Sequence, residues 1–355
     1  MEGGFAVCNI AGYVGERRAA PILIEMIRRQ ESLNGGHYTG LATVHEGKLY
    51  HAKLVGDLDR LLEKTDVADF PGTVGFVHSR TPGKEGDEWA HPFIGGRGGE
   101  ERSAFVINGF AGYFSSFDLP YGKFAEEVLA AGYPLRSRAK LDHTYTTMLS
   151  DGTAAHGSDV LCQMIQRNID NGAAEADAME QAFTERPGEF VGLLLSLAHP
   201  DRIFWSRVDM PMFVGYAPHG AYLASAALAF PSDAGEPFLL PPLSSGEVCP
   251  DGFTAHTYRK TLAKIAPIDA RVTHAAYEAI SAALQEGKHT IKTLVPVVRP
   301  LFEKADCSPN AAVIYETLRA LLREGKLRSR IVREPGSAEG LTAPVCYFSI
   351  SKGDG

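Results

Sequence analysis

The residue types able to do chemistry are spread over the first third of the chain. Cys8 opens the apolar, glycine-punctuated run Cys8-Asn-Ile-Ala-Gly-Tyr-Val-Gly15. A thiol becomes a nucleophile once it sheds its proton. Further along come Gly75-Phe-Val-His78-Ser-Arg80-Thr81, then Trp89-Ala-His91-Pro92-Phe93, then Phe105-Val-Ile-Asn108-Gly109. Taken singly, each has an ordinary explanation. A cysteine at the head of a strand is a small core residue, and an arginine is a structural ion-pair partner. Asn-Gly is a turn, a histidine before proline shapes a loop, and His78 packs on its strand.

Strand-length apolar runs carry these residues. Thr73–His78, Ser103–Ile107, Val191–Leu197, Met212–Tyr216 and Ala221–Ser225 read as strands, several buried on both faces. Pro21–Gln30, Phe124–Ala131 and Asp159–Ile169 carry helical spacing; in the last, Val160, Met164, Ile165 and Ile169 share a face. Two stretches rich in Gly, Asp, His and Thr, Gly83–Gly99 and Ser137–Gly157, read as long functional loops. Buried strands with helices outside them predict a layered α/β or α+β domain.

In this order and spacing, the motifs resemble the glutaminase domain of class II glutamine amidotransferases, in particular that of the glucosamine-6-phosphate synthases. The likeness continues through Phe190–Arg207, Pro211–Gly215, Tyr222–Leu228 and Leu243–Val248, and so covers roughly residues 8–250. It implies an N-terminal-nucleophile (Ntn) hydrolase fold of the α+β class, a four-layer αββα sandwich. It implies Cys8 as the nucleophile on a glutamine side-chain amide, with its own α-amine, of pKa near 8, as the base. Asn108 (side-chain amide) and Gly109 (backbone N–H) match the oxyanion pair, Arg80 the grip on the α-carboxylate, and His91 a residue of the glutamine-site loop. Thr81 stands beside Arg80 where relatives often have tryptophan. No cofactor or metal is implied.

The sequence also departs from that pattern. Met1–Val7 precede Cys8, whose nitrogen is then an amide and not an amine. Three explanations compete: autocatalytic loss of a propeptide, a misassigned start with Val7 as initiator, and a catalytically silent domain. Relatives carry Asp-(Ser/Thr)-Glu-Val where this chain has Gly157-Ser-Asp159-Val160. The aspartate that binds the α-ammonium is therefore Gly157 here, with Asp159 or another loop acid expected to stand in. Asn34-Gly35 replaces Arg-Gly, and Asn9 a usual glycine.

Beyond about residue 250 the composition changes. A linker is expected over 251–268, then helices over His274–Gln285, Thr290–Phe302 and Pro309–Arg323, the last capped by Ser308. Two strands follow, Leu327–Arg333 and Val345–Ile350, so residues 269–355 resemble a winged-helix domain. Its basic side chains cluster (Arg319, Arg323, Lys326, Arg328, Arg330, Arg333), but its net charge is only +2 against −10 for residues 1–268. A DNA reader is normally more basic, so a protein-contact module or lid is expected, and a DNA-binding regulator is the least favoured reading.

The 355 residues, 45% hydrophobic and 22% charged, exclude a disordered or collagen-like chain. A net charge of −8 argues against a whole-protein nucleic-acid binder. No apolar run approaches the ~20 residues of a membrane span, and no secretory signal is evident, so a cytoplasmic protein is expected. Five dispersed cysteines, Cys8, Cys162, Cys249, Cys307 and Cys346, argue against a disulfide framework or zinc site. The function expected is release of ammonia from glutamine. The ammonia would pass to a separate synthase subunit, for which a glutamate-synthase-like chain is one candidate. A homo-oligomer is compatible with this. The alternative is a silent, glutaminase-like binding or regulatory module that docks through its C-terminal domain.

Overall fold

The computed structural model describes residues 8–110, 114, 117–260, 262, 268, 270–305 and 311–350. The heptapeptide before Cys8, Cys307 and the expected Ser308-Pro309 cap lie outside the described residues.

Two antiparallel sheets stack face to face. One holds seven strands: β1 Asn9–Gly15, β2 Tyr38–His45, β3 Lys48–Val55, β4 Val74–Arg80, β9 Phe213–Ala217, β10 Gly220–Ala224 and β11 Phe238–Leu239. They lie in the order β11-β9-β10-β1-β4-β2-β3. The other holds six: β5 Phe93–Gly95, β6 Ser103–Phe110, β7 Glu189–Ser196, β8 His199–Arg207, β12 Ser244–Cys249 and β13 Gly252–Thr257. Their order is β13-β12-β8-β7-β6-β5. β1 sits inside its sheet, so it carries apolar side chains on both faces and is buried along nearly its whole length. Its Ile10 and Val14 pack with Leu193, Ile203 and Trp205 of the other sheet to form the inter-sheet core.

Helices cover both outer faces. On the seven-stranded sheet lie α1 Ala19–Asn34 and α2 Leu58–Lys64. α1 buries Ala20, Leu23, Met26 and Ile27 along one stripe, as i, i+3, i+4 spacing requires. On the six-stranded sheet lie α3 Tyr121–Ala130, α4 Gly157–Asp170 and α5 Glu175–Glu185. The expected αββα layering is therefore present. The Ser137–Gly157 stretch holds only isolated bridges, as a loop should, until α4 starts at Gly157.

The expected linker differs. Its first part is not linker at all: β13 extends the six-stranded sheet as an edge strand, and Tyr258 packs into the core beside it. Three helices, α6 Ala270–Glu286, α7 Ile291–Ala305 and α8 Ala312–Arg323, then precede the ribbon of β14 Leu327–Pro335 and β15 Thr342–Ile350. The element types and their order are those read from the sequence. These elements do not form a separate core, however. Val272, Ile314, Leu318 and Phe348 belong to the same buried cluster as Ile10 and Val106.

Candidate active site

Cys8 lies buried at the head of β1, and the pairing of β1 with β4 brings it beside Arg80 and Thr81 at the end of that strand. Its sulfur is 3.8 Å from Thr81 Oγ1. Its carbonyl accepts a hydrogen bond of 2.7 Å from Asn108 Nδ2, which reaches across from β6 in the other sheet. An amide nitrogen has two hydrogens, so one remains for a ligand. Gly109 follows with φ of +130°, and a Cβ there would lie 1.8 Å from the Glu189 carbonyl oxygen. Only glycine fits that conformation and that approach.

Cys8, Arg80, Thr81, His91 and Gly109 line one cavity of about 270 Å³. Arg80 lies over the ring of Tyr38 at 4.6 Å, donates to the Trp89 carbonyl at 3.3 Å and has Glu85 3.8 Å away. His91 enters because its loop crosses β2 at Gly40, where a Cβ would stand 2.1 Å from the His91 carbonyl oxygen. Its ring stacks on His78 at 3.9 Å.

Asp159 does not take the place expected for it. It is fully buried in the first turn of α4, and its carboxylate accepts from the backbone N–H and hydroxyl of Ser137 (2.8 and 2.7 Å) and from Gln163 (3.4 Å). It pins the loop to the helix and does not line the cavity. Burial raises its pKa, partly countered by the Ser137 bonds.

Sequence reasoning missed several walls. Arg186, just past α5, lies over the Tyr121 ring at 4.8 Å, and its Nε has no hydrogen-bond partner. Burial lowers its pKa to about 10. His156 and Tyr145 complete the rim with Tyr121. Burial also pushes His91 and His156 well below the ordinary histidine value, and His78, whose Nε2 is 3.1 Å from the Ile107 carbonyl oxygen, to about 3. All three are neutral at pH 7. Nothing local marks Arg186 in the sequence: Glu185-Arg-Pro-Gly188 has the composition of a turn, and only the packing of α5 aims the side chain inward.

From behind, Tyr315 of α8 faces Asn34 and Cys8, its pKa raised by burial. Elsewhere, Asp177, Glu180 and His256 converge with oxygen and nitrogen atoms within 4.8 Å of one another. Arg259 donates to Asp177 through Nη2 at 2.8 Å and to Glu180 through its backbone N–H at 2.6 Å, so the group reads as an ion-pair cluster.

No protein-family model matches the chain. It is 26% identical over 250 residues to a glutamine–fructose-6-phosphate aminotransferase (isomerizing) of Pyrococcus horikoshii, covering 70% of this chain and 37% of that protein. It is 27% identical over 274 residues to the protein of the same name from Thermosynechococcus vestitus, covering 72% and 38%. The chain thus spans well under half the length of these relatives. In fold it is similar to the glutamine phosphoribosylpyrophosphate amidotransferase of B. subtilis (TM-score 0.58, 13% identity, 85% of this chain and 65% of that one). It is also similar to an allosteric regulatory enzyme of purine biosynthesis (TM-score 0.59, 12% identity, 94% and 67%). The chain resembles class II glutamine amidotransferases in sequence, and its fold is that of Ntn-hydrolase neighbours. No helix among the described residues is long and apolar enough to cross a membrane.

Proposed function

We propose that this chain is the amide-cleaving part of a class II glutamine amidotransferase, with Cys8 as its nucleophile. One observation carries the reading: the Cys8 thiol, the Gly109 backbone and the Arg80 guanidinium share a cavity, and Asn108 is hydrogen-bonded to the nucleophile's own residue.

The substrate is a primary side-chain amide of the glutamine type. Arg80 holds its carboxylate in a charge-assisted pair. With Cys8 as the first residue, its α-amine takes the thiol proton and the sulfur attacks the amide carbon. The oxyanion is met by the second Asn108 Nδ2–H and the Gly109 N–H, each donor typically worth about 3–4 kcal/mol of barrier. The C–N bond breaks as ammonia leaves with the proton, and water then cleaves the thioester. The neutral imidazoles of His91 and His156 shape the wall and take no proton. The ammonia passes to a separate synthase partner.

A second reading is a silent binding module, in which Cys8 keeps an amide nitrogen and no base is present. Intact mass separates the two: the enzyme begins at Cys8, the binder at Met1 or Glu2. Turnover is tested by measuring the ammonia and carboxylate released from primary amides, with Cys8→Ala as control. Equal rates in the two proteins would end the enzymatic proposal.

A further inference from the structure

The charges around the cavity do not balance. Two guanidinium groups line it, Arg80 and Arg186, and among the described residues no Asp or Glu does. Arg80 has Glu85 behind it at 3.8 Å. Arg186 has no carboxylate partner among the described residues, although it is only 6% exposed and its Nε is unsatisfied. Its surroundings are the aromatic rings of Tyr121 and Tyr145. A cation held out of water in this way is completed by an anion that arrives with the ligand.

Arg186 packs against the start of α4. α4 starts at Gly157, and Gly157 and Ser158 of its first turn line the cavity, the Ser158 N–H being held by His156 Nδ1 at 3.1 Å. A Cβ on Gly157 would stand 2.4 Å from Arg186 Nη2. The guanidinium therefore fills the space that an acidic side chain at 157 would need. A ligand carboxylate meets two arginines here, whereas an ammonium group meets positive charge and, among the described residues that line the cavity, no carboxylate.

We infer that this cavity selects primary amides that carry a carboxylate at the far end and no ammonium beside it, such as glutaramate, which is glutamine without its α-amine. The inference rests on the reading of the cavity as an amide-cleaving site and names its substrate class. The step is balanced with this substrate. The Cys8 sulfur forms a bond to the amide carbon, the C–N bond breaks, and ammonia departs with the thiol proton. Water then cleaves the thioester to give glutarate and the free thiol.

The test uses the chain that begins at position 8, the form the proposed chemistry requires, with Cys8→Ala so that ligands bind without turnover, and titrates glutaramate and glutamine by calorimetry at pH 7. Glutaramate is expected to bind at least about tenfold more tightly than glutamine, the ratio that a single charge-assisted hydrogen bond supplies. Arg186→Met, which keeps the stem packed on Tyr121, is expected to weaken glutaramate about tenfold and glutamine much less. Gly157→Asp sets a carboxylate against the guanidinium and is expected to reverse the order of the two ligands; a thermal melt establishes that each variant is folded. If glutamine binds as tightly as glutaramate or more so, the charge inference fails while the amide-cleaving reading stands. If neither amide binds the folded protein, both fail. An unchanged ligand order in folded Gly157→Asp also overturns the inference.

Discussion

None of the imidazoles beside the Cys8 cavity is a base at neutral pH, because burial penalises the charged form of each. The cost appears as pH-dependent stability. The unfolded chain protonates His78 near pH ~6.5, whereas the folded protein does so only near 3. Between those values the unfolded state binds the extra proton, so stability falls as pH drops, by about 1.4 kcal/mol per pH unit for this one group. His78→Gln should flatten the slope of unfolding free energy between pH 6 and 4 by roughly one proton; identical slopes would contradict the burial argument. Asn108 offers a separate check. If its second N–H meets the oxyanion, Asn108→Ala lowers kcat by about 10²–10³-fold with a smaller change in KM, and a purely structural residue would not produce that split. The Cys8, Arg80, His91 and Gly109 constellation was legible in the sequence as motifs in order. Arg186 was not, since no local pattern says that a turn arginine points inward.

At the scale of elements, the site depends on strand register and helix caps. The β1–β4 register, Asn9 opposite Ser79, places Cys8 next to Arg80, and a one-residue slip would turn Cys8 to the other face. Helix α2 is capped by Asp57, whose carboxylate accepts from the Arg60 N–H at 3.1 Å while Glu31 accepts from the Leu58 N–H at 3.0 Å. Asp57 also meets Arg333 of β14 at 2.5 Å. Asp57→Ala should cost about 1–2 kcal/mol for the lost cap alone. In a double-mutant cycle with Arg333→Ala, a further coupling energy measures what the ribbon contributes. Loss of stability no larger than that of an exposed surface substitution would refute the capping role. The long apolar runs announced most of the inner strands. The α5 helix and the β2–β3 hairpin went unread, because short alanine-rich and mixed-polarity stretches lack a decisive period.

At the scale of the molecule, the C-terminal helices and ribbon behave as part of one body. Arg319 and Arg323 pair with Glu236 at 2.7 and 2.6 Å, and Arg333 with Asp57, so half of the six-residue basic cluster is held in ion pairs with residues of the N-terminal layers. His37 and the Gly83 N–H both meet Ser337 at 3.1 Å, which ties the ribbon to the loop beside Arg80. Since Ile314 and Phe348 share a core with Ile10 and Val106, unfolding should be a single transition. The two tryptophans, Trp89 and Trp205, report only the N-terminal layers, whereas far-ultraviolet circular dichroism reports α6–α8 as well. Coincident denaturant curves are expected, and an earlier loss of helix signal would mean an independent C-terminal unit. What the sequence by itself determined was local and periodic: the buried strands, the amphipathic helices, and a set of motifs whose order named a chemistry. Tertiary structure alone decided which charges share a cavity. It tied Asp159 to Ser137, brought Arg186 against Gly157, and set Tyr315 behind Cys8. Electrostatics acts through distance in space, and residues far apart along a chain carry no local mark of the neighbours they will meet.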